Sequence, residues 1–304
     1  MKKLLILILS LLFCFDLKAT ETPGSSALKD LVSGQNKETI SYESILNKKF
    51  KTIEEVYQAY DLYFYEQEKL ILKKLFENEG VKSEHLKKAC DFWHNFQKPL
   101  KISLMKSLQK FELSKFDLVN SKFSEIILNT IENFGFKNKN IEFLINSQPY
   151  QGSYRGVVYG DFVALCFPDV AIKKFTESED VFRYLINHEF EHIRNKETET
   201  IAFLGLLGFM SGKDFTIDKN DLGGSHCKIV ELRAYVLAAI KISPFAALQY
   251  VNSLDNEVDR IHPDKATLRK YLMELQKVMQ GSGLVKPLPN FGLCLKSLFF
   301  HYEV

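Results

Sequence analysis

His188, Glu189 and His192 form an H-E-x-x-H pattern inside a segment with helical periodicity, and this pattern constrains the fold more than any other feature of the chain. On a helix the two imidazoles lie one turn apart on the same face, so both can bind one metal ion. Glu189 would then reach a metal-bound water molecule and act as its base. The pattern therefore predicts a helix that carries part of a zinc hydrolase site.

The residues around the motif decide whether it is coincidence. With 7 His in 304 residues, the pattern arises by chance in roughly one such chain in a hundred, so the motif alone is weak evidence. Ser178 is a suitable helix cap, acidic residues follow it, and apolar residues then recur with helical spacing up to the motif. These features predict an amphipathic helix that contains the motif.

A zinc site with two His ligands needs a third protein ligand. No His occurs between Arg194 and Met210, which excludes the spacing typical of metzincins. Glu231 lies inside an otherwise apolar segment that follows Gly223-Gly224, and Ser225 is a suitable cap for a second helix there. Because a buried carboxylate needs a metal ion or a cation beside it, Glu231 is the predicted third ligand. A surface or ion-paired Glu is the alternative.

With these segments the chain resembles the gluzincin metallopeptidases that include the HtpX proteases, the CAAX prenyl endopeptidases and the periplasmic BepA-like proteases. That family pairs H-E-x-x-H with a later E-x-x-A-D helix, often followed by P-x-A-A-L, H-P and an Arg. The matches, in order, are His188–His192, Glu231–Ala234, Ser243–Leu248, and His262-Pro263 with Arg269. The resemblance implies a zincin-like α+β protease domain, mostly helical with a small sheet, one Zn²⁺ per chain, and a protein or peptide substrate.

Two positions depart from the family pattern. Tyr235 stands where the family has an Asp that looks like an orienting group for a zinc-bound His, and Arg155-Gly156-Val157 replaces an Asn-Ala-Phe strand. Loss of such an orienting group typically lowers metal affinity or activity about 10- to 100-fold. Tyr235 lies four residues after Glu231, so either its hydroxyl takes over this role or its ring belongs to the core.

The expected roles at the site follow from this resemblance. The predicted zinc ligands are His188, His192 and Glu231, with water in the fourth position. Glu189 is the predicted catalytic base. The oxyanion needs a further donor, for which the candidates are His262, Arg269 and Tyr235. Alternatively, His262-Pro263 only ends a loop, and Arg269 lies on the surface of a helix from Lys265 to Gln280.

The resemblance, together with the features of the first 19 residues described below, predicts an exported zinc-dependent metalloendopeptidase. Two other functions are alternatives to it. A binding or chaperone-like module with weak or no proteolysis is the main alternative, and Tyr235 in place of Asp supports it. A purely structural zinc site fits less well, because two His and one Glu leave a coordination position open.

The first 19 residues have the features of a secretory signal peptide. Lys2-Lys3 precedes an apolar stretch from Leu4 to Phe15, and a polar segment follows Ala19. The apolar stretch is shorter than the roughly 20 residues that span a bilayer. We therefore expect cleavage after Ala19, an exported protein in the periplasm or outside the cell, and no permanent membrane span.

Charge and cysteine content bear on the partners. The chain has a net charge of +2, and without the three Lys and one Asp of residues 1–19 it would be neutral. No basic patch suited to phosphates stands out, so no nucleic-acid partner is expected. The oligomeric state stays open.

Four cysteines would remain after cleavage: Cys90, Cys166, Cys227 and Cys294. In an oxidising compartment they permit one or two disulfides in an order that the sequence does not rank, or four buried thiols. Cys227 lies four residues before Glu231. It is therefore a zinc thiolate, a disulfide partner or a packed thiol.

The expected domain order is a signal peptide (1–19), a flexible leader (20–37), a helical N-terminal region (38–136), the metallopeptidase domain (137–280) and a C-terminal tail (281–304). In the helical region, a capping box at Thr52 predicts a helix up to Gly80. Further helices are predicted from Ser83 to Pro99, from Ile102 to Phe111 and from Asn120 to Phe134. After Asn140 the alternation of apolar residues predicts a strand over 141–145 and a hairpin over 157–165 that turns on Gly160-Asp161.

Overall fold

The computed structural model describes residues 25–33, 40–93, 113–115, 124–135, 140–146, 155–159, 162–168, 178–213, 221–254 and 262–285. The helices before the motif are α1 (Ser26–Ser33), α2 (Tyr42–Leu46), α3 (Ile53–Asn78), α4 (residues 83–93) and α5 (Ser124–Asn133). The helices from the motif onward are α6 (Glu179–Arg194), α7 (Glu197–Ser211), α8 (Asp221–Lys241), α9 (Pro244–Ser253) and α10 (Lys265–Gly281).

Four short strands are described by their backbone: β1 (Leu113–Lys115), β2 (Asn140–Asn146), β3 (Arg155–Tyr159) and β4 (Phe162–Pro168). They pair in the order β1-β2-β4-β3; β2 is parallel to β4, and the other two pairs are antiparallel. The predicted strand lies within β2, and the two arms of the predicted hairpin overlap β3 and β4. The turn at Gly160-Asp161 lies outside the described residues.

The predicted α+β fold class is wrong. Of the residues whose side chains the structure describes, 82% are helical and none lies in a strand. Within that part of the chain, both buried hydrophobic clusters are built essentially by helices and the turns that join them. Helix packing therefore makes the core that the structure describes, and its class is all-α.

Helix α3, the longest of the described helices, packs along α8 and bonds to the motif helix α6 through side chains. Thr52 accepts a hydrogen bond from the backbone N–H of Glu55 at 3.2 Å, and the Glu55 carboxylate accepts one from the N–H of Lys51 at 2.9 Å. The first bond satisfies a backbone donor that the first turn of the helix leaves free, and the second holds the residue before the N-cap. The buried rings of Tyr60 and Phe64 on α3 share one core cluster with Phe190 on α6 and with the apolar face of α8. The cluster holds α6 and α8 side by side.

Buried charges also join α6 and α8 to α3. Glu191, inside the motif, is fully buried, and its carboxylate accepts hydrogen bonds at 2.8 Å from both the Tyr57 hydroxyl and Nε of Arg194. The ammonium of Lys241 lies 3.0 Å from the same carboxylate. Since Tyr57 is on α3 and Lys241 on α8, one motif carboxylate bonds to both neighbouring helices.

Arg233 on α8 makes a second buried connection to α3. It donates to Oδ1 of Asp61 at 2.6 and 2.9 Å and to Oε2 of Glu68 at 3.2 Å. Arg233 is 5% exposed and Glu68 is 1% exposed, so little water competes for these bonds. The two arrangements fix the position of α8, which carries Glu231, relative to the motif helix.

Residues 26–33 differ from the expected flexible leader, because they form α1 with Ala27 and Leu28 buried. Just before α1, the N–H of Ser25 donates to Oγ1 of Thr200 at 2.8 Å, and its hydroxyl donates to Glu68 at 2.5 Å. The segment is thus bonded to α3 and α7. The predicted signal peptide lies outside the described residues.

Some helix boundaries also differ from the sequence-based expectation. Helix α8 begins at Asp221, so Gly223, Gly224 and Ser225 lie inside it rather than before it. Ser178 occupies the N-cap position of α6, but its side chain makes no capping hydrogen bond. Helix α5 begins at Ser124, and the predicted helix over 102–111 lies outside the described residues. Among the residues described, no helix has both the length and the apolar character needed to cross a bilayer.

Candidate metal centre

Helices α6 and α8 bring two imidazoles and one carboxylate together. Nε2 of His188 lies 3.0 Å from Nε2 of His192, and Oε2 of Glu231 lies 3.5 Å from each of these nitrogens. The three side chains are largely buried, with 7, 12 and 15% of their surface exposed. The structure therefore brings together the three residues predicted as ligands, although Glu231 on α8 lies 39 positions after the nearer histidine, His192.

The spacing of these donor atoms suits a small metal ion. Zinc binds His nitrogen and carboxylate oxygen at about 2.0–2.2 Å in tetrahedral sites, which puts neighbouring ligand atoms about 3.3 Å apart. Oε2 of Glu231 and Nδ1 of His188 are buried and have no hydrogen-bond partner among the described residues. A buried oxygen without such a partner is costly, and a cation between the three donors would relieve that cost for Glu231.

The electrostatics of the cluster favour a charged carboxylate. Burial alone would raise the pKa of Glu231, but the neighbouring His192 and His188 hold it well below its usual value. A carboxylate that stays ionised in a buried place is suited to bind a cation.

Glu197 belongs to the site, although sequence reasoning missed it. Its Oε2 is hydrogen-bonded to Nδ1 of His192, and Glu197 is 4% exposed. Helix α6 ends at Arg194, and α7 begins with Glu197 after Asn195 and Lys196. On an uninterrupted helix a residue five positions after His192 would point to another side, so the helix break is what brings Glu197 back. The sequence signal was an acidic residue just past the end of the motif helix.

Glu189 lies on α6 beside His188 and is 5% exposed. Burial is the main cause of the raised pKa of Tyr250, and the negative charge of Glu189 raises that pKa further. The side chains of Glu189 and Tyr250 are therefore close enough to interact electrostatically. Tyr250, on α9, is a second residue near the site that sequence reasoning did not select.

The two candidate oxyanion donors after α9 have different positions. Nε2 of His262 lies 3.8 Å from Oε1 of Glu231, and its side chain is 45% exposed, so it lies at the solvent edge of the cluster. Arg269 lies on α10 beside a shallow surface depression with Lys270 and Glu274. No contact among the described residues joins Arg269 to the cluster, so its predicted role there lacks a geometric basis.

Tyr235 contacts the site through its ring. The ring centroid lies 4.4 Å from that of His188, and Tyr184 and Tyr250 pack around it. Tyr235 is 4% exposed and belongs to the main core cluster. Because Nδ1 of His188 has no hydrogen-bond partner within the described part of the chain, the hydroxyl of Tyr235 does not take the orienting role of the family Asp. The geometry favours a core aromatic that supports His188 by packing.

We expect Tyr235→Phe to leave folding and metal affinity close to those of the wild-type protein, because the ring contact is retained. Tyr235→Asp would replace a packed core ring by a smaller buried carboxylate and destabilise the fold by about 3–5 kcal/mol. Thermal melts and zinc titrations of both variants measure this. Weaker zinc binding by the folded Phe variant would instead assign a role to the hydroxyl.

Cys227, on α8, was an alternative ligand, and the cluster contains neither this residue nor the neighbouring His226. His226 points to α3, where Nε2 lies 3.4 Å from Oε1 of Glu68. Burial alone would lower the pKa of His226, but hydrogen bonds to Cys227 and Glu68 raise it to about 10. Protonated His226 thus balances the charge of Glu68. Cys227 is a buried free thiol, so neither the zinc-thiolate nor the disulfide interpretation holds for it in this structure.

Comparison with known proteins finds no match: no family model fits the chain, and no curated protein sequence is similar to it. The resemblance to gluzincins therefore rests on the motifs quoted above.

Proposed function

We propose that the chain is an exported zinc-dependent metalloendopeptidase. The observation that carries the proposal is the convergence of His188, His192 and Glu231, with donor atoms 3.0 to 3.5 Å apart, next to the buried carboxylate of Glu189. Two His and one Glu are a ligand set of catalytic zinc, because they leave a coordination position for water or substrate. The proposed export rests on the signal-peptide features of residues 1–19.

His188, His192 and Glu231 would hold the ion, which when bound supplies Lewis acidity and lowers the pKa of a coordinated water. Glu189 is the general base of the proposed reaction. Its carboxylate would accept a proton from the attacking water and pass it to the leaving amine nitrogen, which is a contribution of about 10²- to 10⁴-fold.

His262 is the proposed donor to the carbonyl oxygen of the substrate. It is partly exposed and lies at the edge of the cluster, 3.8 Å from Glu231, so a substrate can approach it from solvent. A positioned donor to a developing oxyanion stabilises the transition state more than the ground state. Tyr250 is too deeply packed against Tyr184 and Tyr235 to be the first choice.

The proposal is tested by the metal content and casein cleavage of the full exported chain, with Glu231→Ala as the decisive variant. We expect wild-type protein to hold about one zinc per chain and to cleave casein until a chelator removes the metal. Glu231→Ala should lose most of its zinc under mild chelation, because one of three ligands is gone. Zinc content is measured by atomic emission after dialysis.

The matched control for this variant is Glu77→Ala. Glu77 is a Glu on α3 with 62% of its side chain exposed and only a surface ion pair with Lys73, so its loss should leave zinc content unchanged. Equal zinc retention in both variants would remove Glu231 from the site. A wild-type protein that binds no zinc would overturn the proposed function.

A binding module that holds the metal but cleaves weakly is the second candidate. The observation in its favour is Nδ1 of His188, the atom at which orienting groups of a zinc-bound His usually bind. This atom is buried and no described residue forms a hydrogen bond with it. Zinc binding at full occupancy without turnover on casein or a peptide library would favour this candidate over the protease.

A further inference from the structure

We propose that Glu197 is the positioning residue for His192: its carboxylate accepts a hydrogen bond from the Nδ1–H of that ring, which leaves the lone pair of Nε2 facing the metal. The inference rests on the proposed zinc site. It adds a residue that neither the H-E-x-x-H motif nor the Glu231 helix contains, and it places the orienting carboxylate on the second motif His.

The hydrogen bond between Glu197 and His192 is the geometric basis. A neutral imidazole has one N–H and one lone pair, so a carboxylate at Nδ1 fixes the proton there. The lone pair is then on Nε2, the atom that lies 3.0 Å from Nε2 of His188 and 3.5 Å from Glu231. The three donor atoms converge only with the imidazole in this orientation.

Among the described residues, His192 is the hydrogen-bond partner of the Glu197 carboxylate. Glu197 is 4% exposed, and its Oε1 is buried without a hydrogen-bond partner among the described residues. A buried carboxylate in such surroundings is costly. It is therefore better explained by a role at His192 than by a contribution to stability.

The backbone before Glu197 supports the same conclusion. Lys196 has φ of 54° and is left-handed, an uncommon conformation for a residue with a side chain. This residue separates α6 from α7 and turns the chain so that Glu197 faces His192. Left-handed non-glycine residues often lie at functional sites, where the surrounding structure holds them.

The two motif histidines are thus held differently. His192 has a carboxylate at Nδ1, whereas His188 has the Tyr235 ring at 4.4 Å and no hydrogen bond to Nδ1 from the residues that the structure describes. The carboxylate that the gluzincin pattern would place at position 235 is absent. Glu197 supplies an equivalent group to His192 from the first turn of α7.

The test compares Glu197→Gln, Glu197→Asp and Glu199→Gln in the full chain. Zinc affinity is measured by competition with a chromophoric chelator, apart from any activity assay. We expect Glu197→Gln to bind zinc about 10- to 100-fold more weakly and Glu197→Asp to recover part of the loss. Glu199 is the control, because it is also a buried carboxylate on α7, 6% exposed, but ion-paired with Lys196.

A spectroscopic measurement on the wild-type protein covers the case in which Glu197→Gln does not fold. In zinc-loaded protein with ¹⁵N-labelled histidine, His192 should carry its proton on Nδ1, with a strongly downfield N–H signal. A proton on Nε2, or affinities of Glu197→Gln and Glu199→Gln equal to that of wild type, would overturn the inference. If wild type binds no zinc, the proposed function fails instead.

Discussion

Glu189→Gln should retain about one zinc ion per chain and lose peptide hydrolysis by about 10²- to 10⁴-fold, the contribution of a general base. Glutamine has nearly the same size as glutamate but cannot accept the proton of the attacking water. Glu189 is not one of the three converging donors, so metal binding should be unchanged. The measurement is the initial rate of casein or peptide cleavage at matched zinc content.

The control for this variant is Glu179→Gln on the same helix. The Glu179 side chain is 63% exposed and pairs with Arg183 at the surface, so its replacement should leave the rate within about twofold of wild type. Undiminished cleavage by Glu189→Gln would contradict the proposed mechanism. Loss of zinc together with activity would move Glu189 from the role of base to a role in metal binding.

Local patterns in the sequence were sufficient to predict the motif helix. Apolar residues with helical spacing before His188 predicted α6, and the i, i+4 spacing placed both imidazoles on one face. The capping residues at Thr52 predicted the start of α3 in the same way. In each case the information lies within one or two helical turns, which is the range over which side-chain spacing determines local structure.

The fold class was mispredicted because it was taken from the resemblance to gluzincin domains, which implies a small sheet beside the helices. Alternating residues around Phe143 and Val158 do mark strands, but the core that the structure describes is made by α3, α6, α8 and their neighbours. Periodicity shows whether a segment has an apolar face. It does not show which segments pack against each other.

The residues around the ligands could not be predicted either, because they depend on which segments of the chain pack against each other. Glu197 reaches His192 only through the left-handed turn at Lys196, which a lysine does not signal. Tyr57 and Lys241 reach Glu191 from positions that are distant in the chain. Sequence analysis therefore selected the residues that converge at the site but missed the carboxylate that contacts His192 and the buried charges behind the motif.

These buried charges connect fold and site. On α8 Glu231 and Arg233 are two positions apart, so they point to opposite sides of the helix. Glu231 faces the histidines of α6, and Arg233 faces Asp61 and Glu68 of α3. Because one rigid helix carries both, the ion pairs with α3 determine where the Glu231 carboxylate lies. Loss of Arg233 should thus affect stability first and the metal site second.

Arg233→Met should destabilise the protein by about 1.5–3 kcal/mol, because the buried carboxylate of Glu68 loses its guanidinium donor and keeps His226 as its cationic partner. Methionine keeps most of the side-chain volume, so the cost measures charge and hydrogen bonding rather than a cavity. The measurement is urea unfolding followed by circular dichroism. Arg183→Met is the matched control: Arg183 and Glu179 form a surface pair with side chains 37 and 63% exposed, and its loss should cost less than about 1 kcal/mol.

Neutralising the carboxylate should reverse part of this loss. The double variant Arg233→Met/Glu68→Gln no longer buries the Glu68 carboxylate without its guanidinium partner. It should therefore be more stable than Arg233→Met alone. If Arg233→Met unfolds at the same urea concentration as Arg183→Met, the ion pairs do not hold α8 to α3. The position of Glu231 would then depend on the apolar core around Tyr60 and Phe64 alone.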